Sequence, residues 1–241
     1  MNPVIFKIPL ILFSVMGLTT AAQQLVIDSE LLATKTDVRI FQLGEEKEIE
    51  SIVYFTDGEK LLQAGFRTKL NTLFKTGKIP PAYLVFVSSV DLNDSVDKRN
   101  TYFFCNPDYL NFFENELLPK VEKTIGKSFT PEQRGLVGIS FGGLNAAWFS
   151  AKSFLFTKYA LLSPVTYPCK KVIEDIAFSK NERLKIYIST GINDAENYVG
   201  LLENIYKSKH YEIHTEKTQG RHDFQNWAGQ LNLVFNFLFN N

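Results

Sequence analysis

Gly138-Ile139-Ser140-Phe141-Gly142-Gly143 is the stretch that organises the whole reading of this chain. A serine framed by glycines in the pattern G-x-S-x-G reads as a nucleophile elbow, a sharp turn between a strand and a helix that exposes a reactive hydroxyl. Such a turn needs small residues on either side, because a Cβ at Gly138 or Gly142 would crowd the strand and helix that the strained serine joins. The flanks agree. Arg134-Gly135-Leu136-Val137-Gly138-Ile139 is short, apolar and β-branched, as a buried strand should be. Leu144 to Lys152 carries residues suited to a helix. A bland alternative exists, in which the turn only packs tightly and its serine is inert.

Outward from the elbow, strands and helices alternate. Strand-like runs lie within Leu25–Leu43 (two of them), at Ile52–Phe55, Ala82–Val87, Tyr159–Leu162, Leu184–Ser189 and Tyr211–Thr215. Helical patterns cover Leu61–Lys75, Tyr109–Ile125, Lys171–Phe178, Glu196–Lys209 and Phe224–Phe239, with Pro119 expected to kink or end the second of these. This alternation predicts an α/β fold with a mostly parallel central sheet and helices on both faces. Ligands then bind beyond the carboxyl ends of the strands.

Composition narrows the function classes. Lys plus Arg equals Asp plus Glu at 26 each, so the basic footprint of a nucleic-acid partner is absent. Phe is abundant, at 21 residues, which suits a large core and an apolar pocket. Lys7, the apolar run Ile8–Leu18 and the small residues Thr20-Ala21-Ala22 resemble an export signal, with cleavage expected after Ala22. The run is short of the roughly 20 residues that span a bilayer, so no stable membrane insertion is expected after cleavage. The expected organisation is a signal peptide over 1–22 and one domain over 23–241, exported to the periplasm or beyond. Cys105 and Cys169 could pair in such a compartment, but two cysteines alone do not decide it.

A serine hydroxyl needs a base, and the base needs an acid to orient it. There are three histidines. His210 ends a Lys-rich helix and His214 lies within a strand between glutamates. His222, in Gly220-Arg221-His222-Asp223-Phe224, falls in a carboxyl-end loop on the edge that holds Ser140, unless it merely caps a turn. Asp194, in Thr190-Gly191-Ile192-Asn193-Asp194, follows another strand and is the expected acid, although it could instead cap the next helix. Glu196 and Asp223 are reserves. The oxyanion formed on attack should be held by the N–H of Phe141 and by one from Asp57-Gly58-Glu59-Lys60, with Glu59 the expected donor. A metal route through His214, His222 and Asp223 lacks a recognised ligand spacing, and no cofactor is called for.

With these residues in place, the chain resembles the putative-esterase family of α/β-hydrolases, which includes esterase D, enterochelin esterases, feruloyl esterases and bacterial mycolyltransferases. The likeness rests on Tyr54-Phe55-Thr56-Asp57-Gly58, on the elbow, on Thr190–Asp194 and on Gly220-Arg221-His222-Asp223-Phe224-Gln225-Asn226-Trp227. Arg99, followed by Glu116–Glu122, matches a place where relatives often border the substrate pocket with an arginine. The resemblance implies an α/β-hydrolase fold and an exported serine ester hydrolase with Ser140, Asp194 and His222 in the catalytic roles. Arg99, Asp57 and Gly58 would lie at the substrate, a small-molecule or sugar-linked ester. Arg221 stands where family members often carry glycine, which bears on the rim of the pocket. Acyl transfer through the same triad, or a ligand-binding module that keeps the fold, are the competing expectations.

Overall fold

The computed structural model describes residues 22–240; the expected signal peptide therefore lies outside the described residues, except for Ala22. In chain order the elements are β1 (Ala22–Ser29), β2 (Thr34–Leu43), β3 (Ile52–Phe55), α1 (Gly58–Gln63), α2 (Phe66–Lys75), β4 (Ala82–Asp91), α3 (Arg99–Phe103), α4 (Pro107–Phe112) and α5 (Leu118–Ile125). They continue as β5 (Arg134–Ile139), α6 (Phe141–Lys152), β6 (Lys158–Leu162), α7 (Val172–Ala177), β7 (Lys185–Thr190), α8 (Glu196–Ser208), β8 (Glu212–Lys217), α9 (Phe224–Gly229) and α10 (Leu231–Phe239).

The eight strands form one sheet in the order β1-β2-β4-β3-β5-β6-β7-β8. Pairing is antiparallel across β1, β2 and β4 and parallel from β4 through β3 to β8. Parallel strands need crossover helices, so both faces become covered and the strands read as continuous apolar runs. The period of two then divides the core. Val53, Phe55, Leu84, Phe86, Val137 and Ile139 pack on one face with α1, α2, α9 and α10. Ile52, Tyr54, Val85, Val87 and Leu136 pack on the other with the helices from α3 to α8.

Three predicted helices are interrupted, two of them for a local reason. Leu61–Lys75 divides at Gly65, whose φ of +82° stops α1 and restarts the chain as α2. Tyr109–Ile125 passes through a π-helical turn at Phe113–Leu117, with Leu118 N–H bonding to Phe113 O. Pro119 follows directly; it has no N–H to offer and its ring would strike the carbonyl four residues back, so the widened turn lets the helix continue. Phe224–Phe239 divides at Gln230. α3 has no counterpart in the sequence reading. Cys105 and Cys169 form a disulfide with Cα atoms 6.2 Å apart, joining the segment after α3 to the segment after β6.

Candidate active site

The elbow is built as its glycines require. Ser140 sits between β5 and α6 with φ +57° and ψ −115°, a strained backbone for a residue with a side chain. A Cβ on Gly138 would fall 1.9 Å from Gly142 O, and one on Gly142 would fall 2.7 Å from Thr56 Oγ1. Ser140 N–H donates to Leu162 O at 2.9 Å, so β6 holds the turn from the side. The helix begins at Phe141, immediately after the serine, which leaves the Phe141 N–H among the first-turn amides that have no partner within the helix.

Register brings the other loops alongside. Ile139 pairs with Leu162, and Leu162 pairs with Ser189. The residues that leave β5, β6 and β7 therefore emerge side by side, and β8 follows, with Thr190 opposite Lys217. The loops after β7 and β8 are also stitched together. Ile192 N–H donates to Gly220 O at 3.0 Å, and a Cβ on Gly191 would fall 2.3 Å from that same oxygen. Asn226 fixes the second loop by accepting from Thr218 Oγ1 at 2.7 Å and donating to Arg221 O at 2.9 Å.

Ser140, His222 and Asp194 meet at this edge. His222 Nε2 lies 2.9 Å from Ser140 Oγ, and His222 Nδ1 lies 2.5 Å from Asp194 Oδ1. The Asp194 side chain is buried and that of His222 is part-exposed, so the acid is screened from water while the base faces the opening. Asp194 does not cap α8, which starts after Ala195 without a side-chain cap. Its second oxygen accepts from Ser163 Oγ at 2.6 Å and from Gly191 N–H at 3.2 Å. With Nδ1–H donating to the carboxylate, Nε2 is free to accept a proton from the serine.

Asp57 and Arg99 line the opposite wall, and Gly58 and Glu59 follow Asp57 in the chain without lining the cavity between the two walls. Arg99 Nε reaches Asp57 Oδ1 and Oδ2 at 2.7 and 2.9 Å, and its Nη2 donates to Ile139 O at 3.2 Å. Its guanidinium also lies over the Phe141 ring, 5.0 Å from the centroid. Arg99 thus ties the loop after β3 to the residue before the serine. Burial pushes the Asp57 carboxyl above the ordinary carboxylate range, against the pull of Arg99. Gly58 is required by packing, since a Cβ there would fall 2.6 Å from the backbone of Phe86 and Val87. The Glu59 carboxylate turns away to accept from Ser89 N–H at 2.9 Å and Ser89 Oγ at 2.8 Å. Lys60 and Leu61 N–H fold back onto Asp57 O, which leaves Gly58 and Glu59 with the two first-turn amides that α1 itself cannot satisfy.

A cavity of about 330 Å³ opens between these walls, lined by Lys60, Leu61, Phe224 and Trp227 as well as by Ser140 and His222. Sequence reasoning singled out neither Lys60 nor Leu61 as a lining residue; their place one and two positions beyond Glu59, on the first turn of a helix, was the available signal. The reserve acids are engaged elsewhere: Glu196 pairs with Lys217 at 3.0 Å, and Asp223 caps α9 by accepting from Asn226 N–H at 2.8 Å. His214 stacks on Tyr187 and lies 3.4 Å from Glu216. Among the described residues no group of three His, Cys, Asp or Glu side chains is placed to hold a metal ion.

The putative esterase family model matches residues 29–238. The iron(III) enterobactin esterase of Escherichia coli O6:H1 is 28% identical over 131 residues, which is 54% of this chain and 32% of that protein. The enterobactin esterase FES of Shigella flexneri, solved in the presence of enterobactin, superposes with a TM-score of 0.81 at 24% identity, over 92% of this chain and 60% of that one. The BES protein of Bacillus cereus superposes with a TM-score of 0.74 at 17% identity, over 98% and 99%. This chain therefore spans about a third of the curated relative's length and 60% of the Shigella enzyme's. The superpositions identify the fold as that of the α/β-hydrolases.

Proposed function

The chain belongs to the putative esterase family, and we propose on that footing that it is a serine ester hydrolase that works through an acyl-enzyme. The observation that carries the proposal is the continuous relay from Ser140 Oγ through the His222 ring to the Asp194 carboxylate, at 2.9 and 2.5 Å. Ser140 Oγ attacks the ester carbonyl and passes its proton to His222 Nε2. Asp194 holds the imidazole in the tautomer that can accept, and stabilises the imidazolium that results. The carbonyl oxygen, now negative, is received by Phe141 N–H and by a first-turn amide of α1, with Glu59 N–H the assigned donor. Each such donor is worth about 3–4 kcal/mol of transition-state stabilisation. His222 returns the proton to the departing alcohol, and water, activated by the same imidazole, releases the acid.

The substrate is a small-molecule ester held in the cavity beside Ser140, where Leu61, Phe224 and Trp227 offer apolar surface and Arg99 and Asp57 brace the wall. The enterobactin esterases among the relatives make enterobactin the first ester to try. Export is part of the same proposal, supported by the apolar segment with its small-residue end and by the Cys105–Cys169 bond, which suits an oxidising compartment. Hydrolysis of p-nitrophenyl, feruloyl and siderophore esters by wild type and Ser140→Ala tests the activity. Wild type should turn over at least one class, and the variant should lose about 10⁶-fold in kcat together with all labelling by a fluorophosphonate. A fully active Ser140→Ala variant would end the proposal.

A further inference from the structure

Ser163 is the residue at this edge whose conformation most needs explaining. It is fully buried, and its φ is +48°, a region where a side chain is strained and glycine is not. It also precedes Pro164, a position that favours extended backbone. A side chain kept under both restraints must be placed for its hydroxyl. Ser163 leaves β6, the strand between the one that carries Ser140 and the one that carries the Asp194 loop, and its N–H is anchored on Ser189 O at 2.8 Å.

The hydroxyl has two partners. Trp227 Nε1–H donates to Ser163 Oγ at 2.9 Å, and Ser163 Oγ donates to Asp194 Oδ2 at 2.6 Å. The direction is unambiguous, because indole only donates and an ionised carboxylate only accepts. The Trp227 ring also stands edge-on to the His222 ring, with centroids 4.9 Å apart. The four side chains close a circuit: imidazole to carboxylate, carboxylate to hydroxyl, hydroxyl to indole, indole against imidazole. Without Ser163, Asp194 Oδ2 would retain one amide bond at 3.2 Å, and the Trp227 N–H would lose its buried acceptor.

We propose that Ser163 is a positioning residue for the reaction assigned above. It sets the rotation of the Asp194 carboxylate so that Oδ1 meets His222 Nδ1, and Trp227 orients the Ser163 hydroxyl while its ring limits how far the imidazole can swing. The proposal rests on the hydrolytic reading, and the test separates the two. Wild type, Ser140→Ala, Ser163→Gly, Ser163→Ala and Trp227→Phe are compared for p-nitrophenyl ester turnover, for fluorophosphonate labelling rate and for melting temperature.

Ser163→Gly relieves the backbone strain and removes the hydroxyl, so it should melt above Ser163→Ala, which lacks the same hydroxyl, while kcat and the labelling rate fall together by about 10- to 100-fold. KM should stay within about twofold, since Ser163 does not line the cavity. Ser163→Ala keeps the strained backbone and should show the same kinetic loss, so the test survives if either variant folds poorly. Combining Ser163→Ala with Trp227→Phe should cost no more than the worse single change, because both act on one carboxylate. The low-field proton resonance of the His222–Asp194 bond should broaden in Ser163→Ala, a readout independent of substrate. Folded Ser163→Gly and Ser163→Ala with wild-type kcat would overturn the positioning role and leave the hydrolytic reading standing. A folded wild type that neither turns over esters nor takes the label would overturn both.

Discussion

The two ends of the parallel strands are constructed on different principles. At the carboxyl ends, residues with side chains adopt positive φ where the chain leaves the sheet: Asp57 at +58° after β3, Ser140 at +57° after β5, Ser163 at +48° after β6 and Asn193 at +54° in the loop after β7. Asp57 and Ser163 are buried, and their polar groups are committed to Arg99 and to Asp194. Toward the amino ends, Gly77 before β4 and Gly126 before β5 take positive φ at +67° and +77°, with open space where a Cβ would go, and Arg183 before β7 and His210 before β8 take it at +58° and +56° as exposed residues. A larger cavity, of about 510 Å³, lies beside the start of β5. Among its charged residues, Arg134 Nη2 pairs with Glu122 at 2.6 Å and Lys127 Nζ donates to Ile49 O. One end commits positive-φ side chains such as Asp57, Ser140 and Ser163 to the site, and the other turns on glycines or on side chains that are exposed. Cavity size alone would have passed the site over, since the cavity beside β1 and β2, at about 700 Å³, is larger than either.

That contrast can be broken by substitution. After Ser140→Ala, Asp194→Asn should have the largest effect, lowering kcat by about 10⁴-fold while leaving the melting temperature nearly unchanged; steady-state kinetics beside a thermal melt would separate the two. Gly138→Ala should come next. Its Cβ would lie 1.9 Å from a backbone oxygen that cannot move without reshaping the elbow, so a loss of about 4 kcal/mol in denaturant unfolding is expected, with activity lost as well. At the other end, Arg134→Ala strips a part-buried partner from Glu122 and should cost about 2 kcal/mol with kcat unaffected. Smallest is Gly126→Ala, which meets nothing and pays only for its left-handed backbone, about 1 kcal/mol by the same unfolding measurement. If Arg134→Ala or Gly126→Ala lowered kcat tenfold, the separation between the ends would be false.

What could be read in the sequence was what local chemistry dictates. The elbow occupies six consecutive residues, and Gly138 is required within the turn itself, by Gly142 O, while Gly142 and Gly143 answer to Thr56 and Pro164 from other loops. The inner strands β3 to β7 stood out because a sheet covered on both faces selects unbroken apolar runs, whereas β1 and β8 at the edges carry mixed, largely exposed residues. His222 emerged by elimination from three histidines, and Asp194 from its place after a strand. Features set by distant contacts were hidden. Ser163-Pro164 looks like any loop after a strand, and only the register of β5, β6 and β7 places that hydroxyl between two of the converging loops. The two cysteines could not declare their pairing across 64 residues. Glu59 was legible as part of a loop near the serine, but the turn of its carboxylate toward Ser89 depends on β4. Arg99 was found through likeness to relatives; its grip on Ile139 O and Asp57 is a matter of tertiary packing.

The bond between Cys105 and Cys169 closes a covalent hoop that encloses β5, Ser140, α6, β6 and Ser163, and leaves Asp194 and His222 outside. Hydroxyl and imidazole therefore belong to topologically distinct parts of one chain. A protease nick anywhere on the hoop yields two fragments that stay joined until a reductant is added, whereas a nick between residues 170 and 193 yields fragments held together by folding alone, with the nucleophile on one and its proton acceptor on the other.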